Sequence, residues 1–175
     1  MKRGSILVLA LILGACGSAP AATSAPVAAS STSGKFVLSF TIERGTVRPK
    51  DAIVGTATLS LRAPGGATIT GSGTLFGFEF SEIGGSHRHV QPVSDGVCAP
   101  HRLTSTSPLS SEILKTGAVI EGPDAAWYRE FLSGPGVLLP TGDWDITVTS
   151  TFFDGEACAG QKVDMRTTVR VHVTE

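Results

Sequence analysis

The segment Asp143–Phe153, DWDITVTSTFF, is followed by DGEACAGQ (154–161) and then by KVDMRTTVRVHVT (162–174). Trp144, Ile146, Val148 and Phe152 share one face of the first segment, and Val163, Met165, Val169, Val171 and Val173 share one face of the last. Successive side chains of a strand point to opposite faces, so this is the pattern of two half-buried strands. The glycine-containing loop between them predicts an antiparallel hairpin. Asp143, Asp145 and His172 fall on its outward, solvated face.

The same rhythm recurs towards the N-terminus. Phe36, Leu38, Phe40 and Ile42 alternate with Val37, Ser39, Thr41 and Glu43, and Ala57, Leu59 and Leu61 alternate with Thr56, Thr58 and Ser60. From Leu75 to Ile83, Phe76, Phe78 and Phe80 share one face and Glu79 the other. Turn residues separate these segments at Pro49-Lys50-Asp51, Pro64-Gly65-Gly66, Gly84-Gly85 and Gly134-Pro135-Gly136. Many short strands without intervening amphipathic helices predict an all-β, two-sheet sandwich. One segment dissents: Pro123-Asp124 followed by Ala125–Leu132 reads either as one short helix near 124–132, with Trp127 and Phe131 on one face, or as an irregular or strand-like stretch.

The run LLPTGDWDI (138–146) resembles a phrase of bacterial immunoglobulin-like domains, in which a Leu-Pro-x-Gly turn leads into an aromatic residue and a long penultimate strand. The resemblance implies an immunoglobulin-like antiparallel β-sandwich, a fold used mostly for binding and spacing, and fold alone does not assign function. The chain departs from antibody-type domains, whose two cysteines lie within facing strands around a tryptophan. Here Cys98 and Cys158 fall in loop-like sequence.

At the N-terminus, Lys2 and Arg3 precede a short apolar run, Ser5–Ala15, which ends in Leu13-Gly14-Ala15-Cys16. This is the three-part build of a secretory signal, and the run is too short for a permanent bilayer span of about 20 residues. Residues 13–16 resemble the lipobox of bacterial lipoproteins, whose cysteine is lipidated, whose signal is cut before it and whose new N-terminus is acylated. The resemblance implies a cleaved signal peptide over 1–15, lipidation at Cys16 and an anchor on the extracytoplasmic side of a membrane in the cell envelope. From Gly17 to Gly34 every residue but Val27 is Gly, Ala, Ser, Thr or Pro. So little apolar area predicts a flexible linker over 16–34, extended locally by Pro20 and Pro26, with the β-sandwich domain over 35–175.

With Cys16 lipidated, Cys98 and Cys158 are the thiols left in an oxidising compartment, which predicts a disulfide. The loop Gly84–Val90 carries His87 and His89, whose i, i+2 spacing puts both imidazoles on one face of an extended backbone, and His101 follows Cys98. Imidazoles bind Zn or Cu, so His87, His89 and His101 form a candidate metal set, without Cys98 if that thiol is oxidised; the alternative is a solvated loop with no metal cofactor. Catalytic motifs are scarce: there is no Gly-x-Ser-x-Gly elbow and no His-Glu-x-x-His pair. The glycine-rich pieces Gly65-Gly66 and Gly71-Ser72-Gly73 lack a following Lys-Ser/Thr, and Glu79 and Glu82 stand isolated.

The 175-residue chain has 14 Lys and Arg against 15 Asp and Glu, and removal of a signal carrying Lys2 and Arg3 leaves it mildly acidic. That balance argues against nucleic acid, because phosphate binding wants a basic face. The expectation is a lipid-anchored, non-enzymatic binding or structural module whose sandwich loops meet an envelope protein, peptide or polymer. The competing readings are an envelope metal-binding lipoprotein using the 87–101 loop and a hydrolase with a composite site.

Overall fold

A computed structural model of the chain describes residues 24–94, 96–115, 117 and 125–175. The expected signal at 1–15, Cys16, the start of the expected linker and the expected Pro123-Asp124 cap lie outside the described residues. The elements run β1 (Val27–Ser33), β2 (Phe36–Ile42), β3 (Thr46–Val47), β4 (Gly55–Leu61), β5 (Gly66–Gly71), β6 (Gly77–Ile83), β7 (His89–Val90), β8 (Ala99–Thr104), β9 (Leu109–Glu112), α1 (Ala125–Ser133), β10 (Gly142–Asp154) and β11 (Gln161–Val173). They form the all-β sandwich with one short helix that the sequence predicts.

The smaller sheet has the order β1-β2-β4-β9. The larger is organised by β10, which pairs with β11 along its whole length. Its other edge is shared, with β6 along Asp143–Thr149 and β5 along Phe152–Asp154. β8 flanks β5, β7 flanks β6, and β3 adds a two-residue parallel pairing to the end of β11, so the larger sheet is mixed rather than wholly antiparallel. Between the sheets lie Phe36, Leu38, Phe40 and Ile42 of β2, Phe78 and Phe80 of β6, and Trp144, Ile146, Val148 and Phe152 of β10, all buried. The period-2 faces read from the sequence are the core faces.

These registers define two ends. One gathers the start of β10, the end of β6, the end of β11 and the connections around Pro49 and Gly55. The other holds the β10–β11 hairpin tip and the β1–β2, β4–β5 and β8–β9 turns. Cys98 and Cys158 are joined at the hairpin-tip end. Thr70 secures the same tip: its hydroxyl donates to the Gly155 carbonyl and accepts from the Cys158 N–H, at 3.1 and 2.9 Å.

The expected linker is corrected in part. Val27–Ser33 is not a tether but the edge strand β1, paired through all seven residues with β2. Backbone hydrogen bonds to β2 supply what its small side chains lack, and Val27 and Ala29 pack against the core. The ordered chain reaches back further. Ser24 Oγ accepts from the Thr46 N–H at 2.8 Å, and the Ala25 carbonyl accepts from the Gly45 N–H at 3.0 Å. A Cβ at Gly45 would come within 2.6 Å of Val27 Cγ1, so glycine is what lets β1 seat there.

Two outcomes check this fold. In an antiparallel pair, neighbouring N–H groups alternate between the partner strand and the open edge, so prolines at both Ser30 and Ser31 must delete a β1–β2 bond. The double variant is expected to lose about 2–3 kcal/mol of unfolding free energy in urea titration, whereas a free linker would leave it unchanged. Replacing Cys98 and Cys158 with serine is expected to cost about 4 kcal/mol in the same assay, from the loop-closure entropy of a 60-residue separation.

Candidate functional site

The helix lies at the end opposite the disulfide. Nine residues make a helix too short to persist alone, so α1 depends on what it packs against. Trp127 and Phe131, four residues apart, share a face and stack on each other at 5.4 Å. Trp127 also stacks on Trp144 of β10 at 5.8 Å, and Phe131 meets Phe80 of β6 edge-on at 5.2 Å. Trp144 is fully buried, and its indole N–H donates to the Pro140 carbonyl at 2.9 Å, tying the Leu138–Pro140 turn to the same cluster. α1 carries no basic residue in its last turn. Lys115 supplies that charge from outside, its ammonium donating to the Phe131 and Gly134 carbonyls and lying over the Phe131 ring. Burial pulls the Lys115 pKa below its ordinary value.

Beside this helix opens a cleft of about 440 Å³. Its walls are Pro49, Trp127, Phe131, the Gly134–Gly136 turn and the Leu138–Pro140 segment, with Lys115 and Glu130 as the polar side chains. The size is within the range of small-ligand sites, which are concave and mostly apolar. Next to it, Arg88 lies over the Trp127 ring at 5.5 Å and pairs with the buried Glu82 carboxylate at 3.5 Å. The Arg88 backbone N–H also donates to Glu82, at 3.2 Å.

The sequence-predicted metal residues are not brought together. His87 has φ 55° in the turn after β6, so the backbone is not extended there and the i, i+2 alternation does not apply. His89 lies opposite Ser81, which is opposite Asp145, while His101 lies opposite Ile69, which is opposite Asp154. Nine residues of β10 separate those two rows, about 30 Å at strand rise. The His101 Nε2–H donates to the Ser72 carbonyl at 3.0 Å, and Cys98 is oxidised. Among the described residues, no group of three His, Cys, Asp or Glu side chains is arranged to hold a metal ion.

Nor do the carboxylates stand isolated. Asp143 pairs with His172 at 2.6 Å, and Asp145 makes a two-pronged pair with Arg170 at 2.8 and 3.0 Å. The Asp145 hydrogen bond is the main cause that raises the Arg170 pKa. Glu79 meets Arg166 at 3.2 Å and His89 Nε2 at 3.8 Å, while His89 Nδ1 is 2.8 Å from Ser81 Oγ. Ser81, His89 and Glu79 thus form a serine–histidine–acid row, but on the outward face of the sheet and with the acid held closer by an arginine. The Asp143, Asp145 and His89 pairs join adjacent strands and Glu79–Arg166 reaches across β10, all of them ordinary stabilisation of a solvated sheet face.

Sequence reading missed Lys115, the Glu82–Arg88 pair and the cleft. Gly134-Pro135-Gly136 and Leu138-Leu139-Pro140 were legible as turns, and Trp127 with Phe131 as one helix face. That they converge depends on where β10 delivers Trp144, which no local pattern states. No protein-family model matches the chain, and no curated protein is significantly similar to it.

Lys115→Met is expected to lower the unfolding free energy by about 1 kcal/mol through the uncapped carbonyls. Arg88→Met is expected to cost more, about 2 kcal/mol, because the buried Glu82 carboxylate loses its cation. Urea titration of both variants checks the order; equal and negligible losses would mean that neither group holds this end.

Proposed function

We propose that this chain is a bacterial envelope lipoprotein, anchored through Cys16 on the extracytoplasmic side. Its immunoglobulin-like sandwich serves as a binding module rather than an enzyme, and the α1 end receives an envelope component. The observation that carries the reading is the order of residues 2–16: two cations, a short apolar run, two small residues and then cysteine. A disulfide-bonded sandwich suits an oxidising compartment. The apolar cleft with the half-buried Trp127 supports binding at the α1 end, since surface apolar concavities rimmed by polar groups are where ligands settle. The pairing of Asp145 and Glu79 with arginines, and of Asp143 with His172, supports a non-catalytic role for the outward sheet face.

The intact mass of the protein recovered from bacterial membranes tests the anchor. The expected species starts at Cys16, carries acyl groups and has two hydrogens fewer than its dithiol form. Cys16→Ala is expected to leave the membrane fraction in flotation. A mature N-terminus at any other residue, or an unacylated Cys16, overturns the reading.

A further inference from the structure

We propose that the cleft beside α1 holds an acyl chain of a lipid in the membrane to which the protein is tethered; this rests on the anchoring through Cys16 proposed above. The first argument is where the tether enters. The linker read from sequence would extend to Gly34, but Ser24 is already fixed on the domain, hydrogen-bonded to Thr46. From Cys16 to Ser24 there are eight residues, about 29 Å at full stretch. Thr46 is three residues, about 11 Å of chain, from Pro49 on the cleft wall. The cleft is therefore at the end that the tether holds towards the bilayer. The disulfide-bonded tip is the length of β10 away, about 43 Å at strand rise.

The second argument is the chemistry of the cleft. Its side-chain walls are proline, leucine and aromatic carbon. Lys115 already donates to the Phe131 and Gly134 carbonyls, which leaves Glu130 as the other polar side chain in the lining. A sugar or a peptide entering here would find few side-chain partners, chiefly Glu130 and the Trp127 indole N–H, whereas an aliphatic chain needs none. The third argument is the surface around it. Val54 and Ile83, 45% and 44% exposed, lie at this end. Half-buried Trp127 adds an amphipathic ring of the kind that favours the membrane–water boundary.

The test uses the full-length lipidated protein in vesicles of phosphatidylethanolamine and phosphatidylglycerol with brominated acyl chains, which quench tryptophan on contact. The chain has two tryptophans, so comparison with Trp127→Phe isolates the signal of Trp127. The expected result is loss of Trp127 emission in wild type and its recovery in Leu138→Glu, which still floats with the vesicles. In parallel, free brominated fatty acid is titrated into the Cys16→Ser protein. There Leu138→Glu is expected to weaken binding by at least about tenfold, the effect of a carboxylate against a methylene chain.

Full emission from vesicle-bound wild type overturns the proposal, and so does quenching that Leu138→Glu leaves intact. Emission that is full in vesicles but quenched by fatty acid in Cys16→Ser also overturns it, by assigning the cleft to the protein's own lipid. An unacylated Cys16 overturns the anchoring reading instead, and the fatty-acid titration then decides the cleft by itself.

Discussion

The register between β10 and β11 is the constraint on which the rest of this structure depends. Thirteen consecutive residue pairs run from Gly142 opposite Val173 to Asp154 opposite Gln161. A slip of one position would turn Trp144, Ile146, Val148 and Phe152 out to solvent and bring Asp143 and Asp145 into the core. The same strand then sets everything on its other edge. Because β6 and β5 pair with successive parts of β10, the position of Trp144 decides where Phe80 and Glu82 lie. They in turn decide where α1 and Arg88 find partners.

That hairpin was legible in the sequence because its signal is local: each strand shows its own period, and the loop between them is short. The core faces of β2, β4 and β6 were legible for the same reason. β1 was not, since its side chains are too small to announce a buried face. Its order comes from backbone pairing with β2, a long-range property that composition does not carry. The histidines failed differently. His87, His89 and His101 are close in sequence, but β7 and β8 attach to different parts of the sheet, so nearness along the chain does not become nearness in space.

The outward face of the larger sheet is where the polar and charged residues of these strands find their partners. Asp143, Asp145, Thr147 and Thr151 of β10 each meet a complementary group of β11, at His172, Arg170, Thr168 and Asp164. Asp164 is held below the usual carboxylate range by the Thr151 hydroxyl first and by Lys162 second. Such pairs, each contributing a few tenths of a kcal/mol, reinforce the register that the apolar face specifies.

The two ends of the sandwich are therefore held by different means. At the hairpin tip a covalent bond and the Thr70 hydroxyl do the work, and the surface there is set by turns. At the other end a nine-residue helix is kept in place by stacking on Trp144, by an edge-on contact with Phe80 and by the Lys115 ammonium on its last carbonyls. The cleft wall shares Trp127, Phe131 and Leu139 with the core and its packed periphery, so the cleft forms as the domain folds. A preformed apolar cleft binds without the ordering cost that a flexible loop would add. Because its aromatic wall is continuous with the core, any substitution that loosens the cleft at Trp127 or Phe131 also loosens the sandwich. Leu138, at its half-buried rim and outside the core cluster, is the wall residue whose change disturbs that packing least.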